Sequence, residues 1–199
     1  MINYDLCMNT IKITKSEVLS DDWYVLNKIS FEVTHSDGTV SVQTREAYDR
    51  GNGATILLYN TERRSVILTR QFRMPTFING NKSGYMIECC AGLLDKDNPE
   101  DCIRKETEEE TGFRIEKINK VFEAYMSPGS VTELIYFFTA EYAAEMKVSA
   151  GGGLKAEDEN IEVLEIHFER ALEMITSGEI KDGKTIMLLQ HAAIHKLLG

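Results

Sequence analysis

Apolar and polar residues alternate with a period of two along much of the N-terminal part of the chain. Residues 11–14 (IKIT) and 29–33 (ISFEV) show it, with the apolar stretch 23–26 (WYVL) between them. Successive side chains of a strand point to opposite faces, so the pattern predicts strands. Ser36-Asp37-Gly38 has the turn chemistry of a hairpin and leads into a third run, 39–44. Residues 1–47 therefore predict a small antiparallel sheet, which cannot bury much alone and must pack on something else. The turn-rich Tyr48-Asp49-Arg50-Gly51-Asn52-Gly53 marks the boundary. Beyond it, 54–59 (ATILLY) and 65–68 (SVIL) are short continuous apolar runs of the buried-strand kind. Residues 76–82 predict a loop, 85–91 a strand, and 120–125 and 134–141 two further strands around a Pro-Gly turn. A last strand over 161–166 precedes two amphipathic helices, 168–176 and 185–198.

One further helix is punctuated at both ends. Asn98 suits an N-cap, Pro99 the first helical position, and Glu100 and Asp101 the positive end of the dipole; Gly112 suits the residue just past the end. Within it Glu106, Glu109 and Glu110 lie three and four residues apart and share a face, where like charges repel. A solvated acidic face explains this, and so does a site for a hard divalent cation, which takes oxygen ligands.

Composition narrows the classes. The chain has 199 residues, 43% of them hydrophobic and 27% charged, as expected of one sizeable core with a small appended sheet. A formal net charge of −10 argues against nucleic acid and against an anionic membrane as main partners. No apolar run is long enough to span a bilayer, and the start MINYDLCMNT has no signal-peptide core. Cys7, Cys89, Cys90 and Cys102 lack metal-ligand spacing and are expected to be reduced thiols of a cytoplasmic protein, Cys89 and Cys90 on opposite faces of a strand. His191 and His195 are expected on a solvent-facing helix rather than on zinc. Arg70 and Arg73 would face opposite sides of one strand, so one at most points into a given pocket; a solvent salt bridge is the default for each. Trp23 suits either core filling or a ring placed on a ligand. Residues 150–160 (AGGGLKAEDEN) suit either a solvated connector or a glycine-hinged flexible lid carrying acids.

The stretch from Gly92 to Phe113 resembles the Nudix box, G-x5-E-x7-R-E-U-x-E-E-x-G-U with U apolar, its second half falling on 105–113 (KETEEETGF). It departs in three ways: the spacing is one residue short, Asn98 stands for the first Glu, and Lys105 for the Arg. The runs YDRGNGATILLYN, RQFR, CAGLLD, IRKE, EETGF, YMSPGSVTEL, AGGG with EDEN, and EIKDGKT extend the likeness over most of residues 19–187. They are similar to the GDP-mannose pyrophosphatase branch of the Nudix hydrolases, close to the ADP-ribose pyrophosphatases. The resemblance implies an α/β/α sandwich on a mixed sheet over 48–199, with the N-terminal antiparallel sheet of 1–47 exchanged between the protomers of a homodimer. It implies Mg²⁺, with Mn²⁺ as an alternative, on the carbonyl of Ala91 and the carboxylates of Glu106, Glu110 and Glu159. It implies nucleotide-sugar contacts from Trp23, Thr44, Arg45, Glu46, Arg73, Ala91, Gly92, Leu93, Glu110, Glu133, Asp158, Glu159 and Lys184. Trp23 then stacks on the base, and Arg45 and Glu46, at the join of the two sheets, reach the partner's site. The reaction expected is hydrolysis of the pyrophosphate bond of GDP-mannose, with Glu110 in the catalytic set and Glu159, then Glu133, as general base. The alternatives are an ADP-ribose diphosphatase, a domain that binds a nucleotide sugar without cleaving it, and a structural domain holding Ca²⁺.

Overall fold

The alternating segments at the N-terminus form three long strands: β1 (Thr10–Asp21), β2 (Val25–Thr34) and β3 (Val40–Asp49). They pair antiparallel in the order β1-β2-β3, with Ile11 opposite Val33 and Ile29 opposite Arg45. The β2–β3 turn is held as its sequence predicts: Asp37 Oδ1 accepts from Thr39 N at 2.9 Å, and Gly38 takes the left-handed conformation (φ +83°) that a Cβ would penalise. Ile11, Ile13, Val18, Val40 and Val42 of this sheet stand exposed. The computed structural model describes residues 9–154 and 159–199. By their internal contacts these divide into a unit of the chain up to Gly51 together with Ser127–Glu133, and a second of Asn52–Met126 and Leu134–Gly199. In the first unit, Ser127–Glu133 is tied to the end of β3: Tyr48 N donates to Ser130 O at 2.8 Å and Thr132 N to Tyr48 O at 3.1 Å.

The second unit is a mixed seven-stranded sheet. Its spine runs β10 (Glu162–His167), β5 (Ser65–Phe72), β4 (Gly53–Asn60), β9 (Leu134–Glu141) and β8 (Asn119–Tyr125), with β4 and β9 parallel. Two short strands complete it: β6 (Tyr85–Glu88) pairs with β5, and β7 (Cys90–Leu93) with β4. The single strand expected over 85–91 thus breaks at Cys89, because its two halves serve different neighbours. Helices cover both faces. Ile56 and Leu58 pack with Cys90, Ile103, Phe113 and Tyr142 on one side; Leu57, Val66, Leu68 and Cys89 pack with Phe168, Met174, Leu188 and Leu189 on the other. Such sorting by alternation marks a sheet buried on both faces, and it makes an α/β/α sandwich. Cys89 and Cys90 take opposite faces as expected, and Cys89, Cys90 and Cys102 are free thiols; Cys7 lies outside the described residues.

Where a loop was expected over 76–82, a short helix α1 (Met74–Ile78) forms, with Pro75 in its first turn, where a missing N–H costs nothing. The box helix is α2 (Pro99–Thr111); α3 (Phe168–Ser177) and α4 (Gly183–Ile194) pack on the opposite face. Helix α4 starts two residues before the expected 185 because Asp182 caps it, and gives way to turns after Ile194. On it the His191 and His195 rings stack at 4.2 Å, beside Phe122. Among the described residues no helix is long and apolar enough to cross a membrane.

Candidate active site

Helix α2 is built as its ends predict. Asn98 accepts from the backbone N–H groups of Glu100 at 3.1 Å and Asp101 at 3.0 Å, and Gly112 closes the helix in the left-handed conformation (φ +79°). Cys102, Ile103, Thr107, Glu110 and Thr111 face inward. Gly92 of β7 is a close-approach glycine: a Cβ there would lie 2.2 Å from Cδ of Glu106. The Glu106 carboxylate is therefore seated against the backbone that carries Ala91, Gly92 and Leu93.

One turn on, Glu110 is only 3% exposed, and its Oε2 has no hydrogen-bond partner. Burial pushes its carboxyl up to about 8; a bond with the Cys90 thiol opposes this, Glu106 and Glu159 add to it, and Arg73 pulls it back. Glu109, expected on the same face, is partly buried, with its Oε2 3.7 Å from Nζ of Lys105.

The glycines of 151–153, expected as a flexible hinge, dock on the end of α2. Gly152 N donates to Glu110 O at 2.8 Å and Gly153 N to Glu109 O at 3.1 Å, satisfying carbonyls that a helix end leaves unpaired. A Cβ at Gly151 would lie 2.5 Å from Glu110 O, and one at Gly153 2.4 Å from Glu159 Oε2. That oxygen accepts from Leu154 N at 2.9 Å, so the loop delivers Glu159 beside α2. Asp158 lies outside the described residues.

Arg73 and Lys184 supply positive charge in the same unit. Strand β5 ends at Phe72, and Arg73 sits at the start of α1, so it and Arg70 do not share a strand. Arg70 pairs with Glu162 near solvent, whereas Arg73 donates from Nε and Nη2 to Glu88 Oε2 at 3.0 and 2.7 Å. Burial opposes the charge on Arg73, but Glu88, with Glu110 and Asp182 behind it, raises the guanidinium above its usual value. Lys184 Nζ lies 2.7 Å from Asp182 Oδ1.

The remaining expected residues belong to the first unit. Trp23, 83% exposed, sits in the bend between β1 and β2, edge-on to Tyr24 at 6.2 Å; it does not fill a core. Thr44, Arg45 and Glu46 lie exposed on β3, paired with β2 at Ser30, Ile29 and Lys28. Glu133, 9% exposed, is held 3.4 Å from Nε of Arg50, whose guanidinium lies 5.5 Å from the Tyr24 ring centre. Glu88 lies outside every run that carries the resemblance; Arg50 and Asp182 lie within such runs but were assigned no role, and their pairings are visible only in the structure.

The oxygen donors fit a hard cation. Glu110 holds a buried oxygen without a partner, and Glu106 and Glu159 both raise its carboxyl. Among the described residues, no three His, Cys, Asp or Glu side chains already form a closed ligand cluster.

Family models match the chain in two adjoining pieces: the GDP-mannose pyrophosphatase NudK N-terminal domain over residues 10–48 and the NUDIX domain over 49–189. This chain belongs to the Nudix family. Among similar Nudix proteins, one named GDP-mannose pyrophosphatase from Enterobacter sp. (strain 638) is 58% identical over 95% of this chain and 98% of its own. Another of that name from Escherichia coli (strain K12) is 56% identical over 94% of this chain and 97% of its own. A solved structure titled as that of an ADP compounds hydrolase superposes with a TM-score of 0.66 over 90% of each chain at 16% identity, a likeness of fold.

Proposed function

We propose that this protein hydrolyses the pyrophosphate bond of a nucleoside diphosphate sugar, GDP-mannose first, to the nucleoside monophosphate and the sugar 1-phosphate. The observation that carries the reading is Glu110, a buried carboxylate with an unpartnered oxygen, close enough to Glu106, Glu159 and Arg73 for each to act on its charge. The naming of the relatives as GDP-mannose pyrophosphatases supports this substrate.

Glu106, Glu110, Glu159 and the carbonyl of Ala91 would hold the metal, Mg²⁺ or Mn²⁺. When bound, it screens the charge of the pyrophosphate and acidifies water. Glu159 takes the proton of the attacking water, with Glu133 as second candidate. The new bond joins that oxygen to phosphorus, and the bridging P–O bond breaks opposite it. Arg73 and Lys184 receive the negative charge that develops on the phosphoryl oxygens. Asp158 and Glu159 of the acidic loop, Gly92 and Leu93 contact the substrate.

In the first unit Trp23 offers an open ring for stacking on the base, and Thr44, Arg45 and Glu46 complete the contacts in an assembly of two chains. We further propose a homodimer with exchanged N-terminal sheets, supported by the apolar residues that this sheet leaves exposed in one chain. The free thiols of Cys89, Cys90 and Cys102 support a cytoplasmic setting.

Incubating the purified protein with GDP-mannose and ADP-ribose side by side, and identifying the products, tests the substrate. Faster release of GMP and mannose 1-phosphate is expected; faster cleavage of ADP-ribose would replace this substrate assignment.

A further inference from the structure

Behind Arg73 and Lys184 lie two carboxylates that the catalytic scheme does not use. Glu88, at the end of β6, is 5% exposed and accepts two bonds from one edge of the Arg73 guanidinium. No bond from the remaining nitrogen, Nη1, is found among the described residues. Asp182 caps α4: its Oδ2 accepts from Thr185 N at 2.9 Å and Thr185 Oγ1 at 2.7 Å, while its Oδ1 receives Lys184 Nζ at 2.7 Å. Thr185 Oγ1 in turn accepts from Cys89 N at 2.7 Å, in the break between β6 and β7. The start of α4 is thereby pinned to the strand break that separates Glu88 from Ala91.

We propose that Glu88 and Asp182 are positioning residues: Glu88 holds Arg73 and Asp182 holds Lys184, so that both cations form a preformed clamp for the diphosphate which the functional reading above assigns to the substrate. A buried ammonium needs neighbouring negative charge to stay protonated. The titratable and charged groups that act on Lys184 are Asp182, Glu88 and Arg73, with the Cys89 thiol beside the same carboxylates. Burial opposes its charge and Arg73 repels it; Asp182 and Glu88 outweigh both. Removing either carboxylate charge therefore lowers the pH at which Lys184 loses its proton.

The test is calorimetric binding of inorganic pyrophosphate, in magnesium, across neutral to alkaline pH. Asp182→Asn keeps a good helix cap. It is expected to move the alkaline loss of affinity down by about one pH unit, and adding Lys184→Arg, which does not titrate in this range, is expected to remove that loss. Glu88→Gln, close in shape, is expected to weaken binding about tenfold through loss of a charge-assisted pair. Affinities and pH profiles unchanged in both single variants would overturn the clamp, as would failure of arginine to rescue Asp182→Asn. If the parent cleaves no nucleotide sugar while the pyrophosphate profiles move as expected, the functional reading fails and the clamp stands.

Discussion

At the scale of single residues, the proposed chemistry turns on Glu110. Its carboxyl is raised from 4.5 to about 8, chiefly by burial. A group raised on folding stabilises the folded state below its unfolded value and loses that contribution as pH climbs through the folded one. In protein stripped of metal, Glu110 should therefore lower stability progressively between about pH 5 and about pH 8. Glu110→Gln removes this component: by thermal denaturation in chelator, its melting temperature relative to the parent should rise over that window. A constant difference would contradict it. Gly92→Ala separates activity from stability. The nearest atoms that the new methyl meets all belong to the Glu106 side chain, so melting should change little while turnover falls at least about tenfold through a displaced carboxylate. Equal turnover in the two proteins would remove Glu106 from the site.

Elements differ in how far the sequence reveals them. Helix α2 is legible from Asn98, Pro99 and Gly112, since capping chemistry is local and needs no distant partner. Helix α1 is not, because five residues are too few for a periodic signal and Pro75 reads as a breaker. Its formation changes the site, placing Arg73 off the strand and onto Glu88. The glycine run shows a similar limit. Composition signals freedom at 151–153, yet the glycines are needed for positive φ and for close approach to α2. Asn98→Ala should cost about 1 kcal/mol of stability in denaturant unfolding. Gly151→Ala should cost roughly 1–3 kcal/mol, since a side chain there meets a helix carbonyl in a strained backbone conformation. Near-parental stability of the latter would show that the glycines are not docked.

For the whole molecule, the apolar runs of β4 and β5 announced buried strands, while the sandwich that covers both their faces was implied by the resemblance to the Nudix hydrolases, whose box also pointed to Glu106 and Glu110. The network Glu88–Arg73 and Asp182–Thr185–Cys89 was not readable, because residues up to 96 positions apart meet only once the sheet has formed. The proposed pairing between protomers is likewise written in no local pattern; the apolar side chains that the N-terminal sheet leaves exposed are what support it. Light scattering should return twice the mass of one chain, and a monomer at every concentration would contradict the exchanged sheet.

The most direct measurement is turnover of GDP-mannose in magnesium by the parent and by Glu110→Gln, with both products quantified and folding checked by melting. The parent should yield GMP and mannose 1-phosphate in equal amounts, and the folded variant should be slower by at least about a hundredfold. Parental rates in that variant, or no cleavage by the parent, would contradict an acidic centre built on α2.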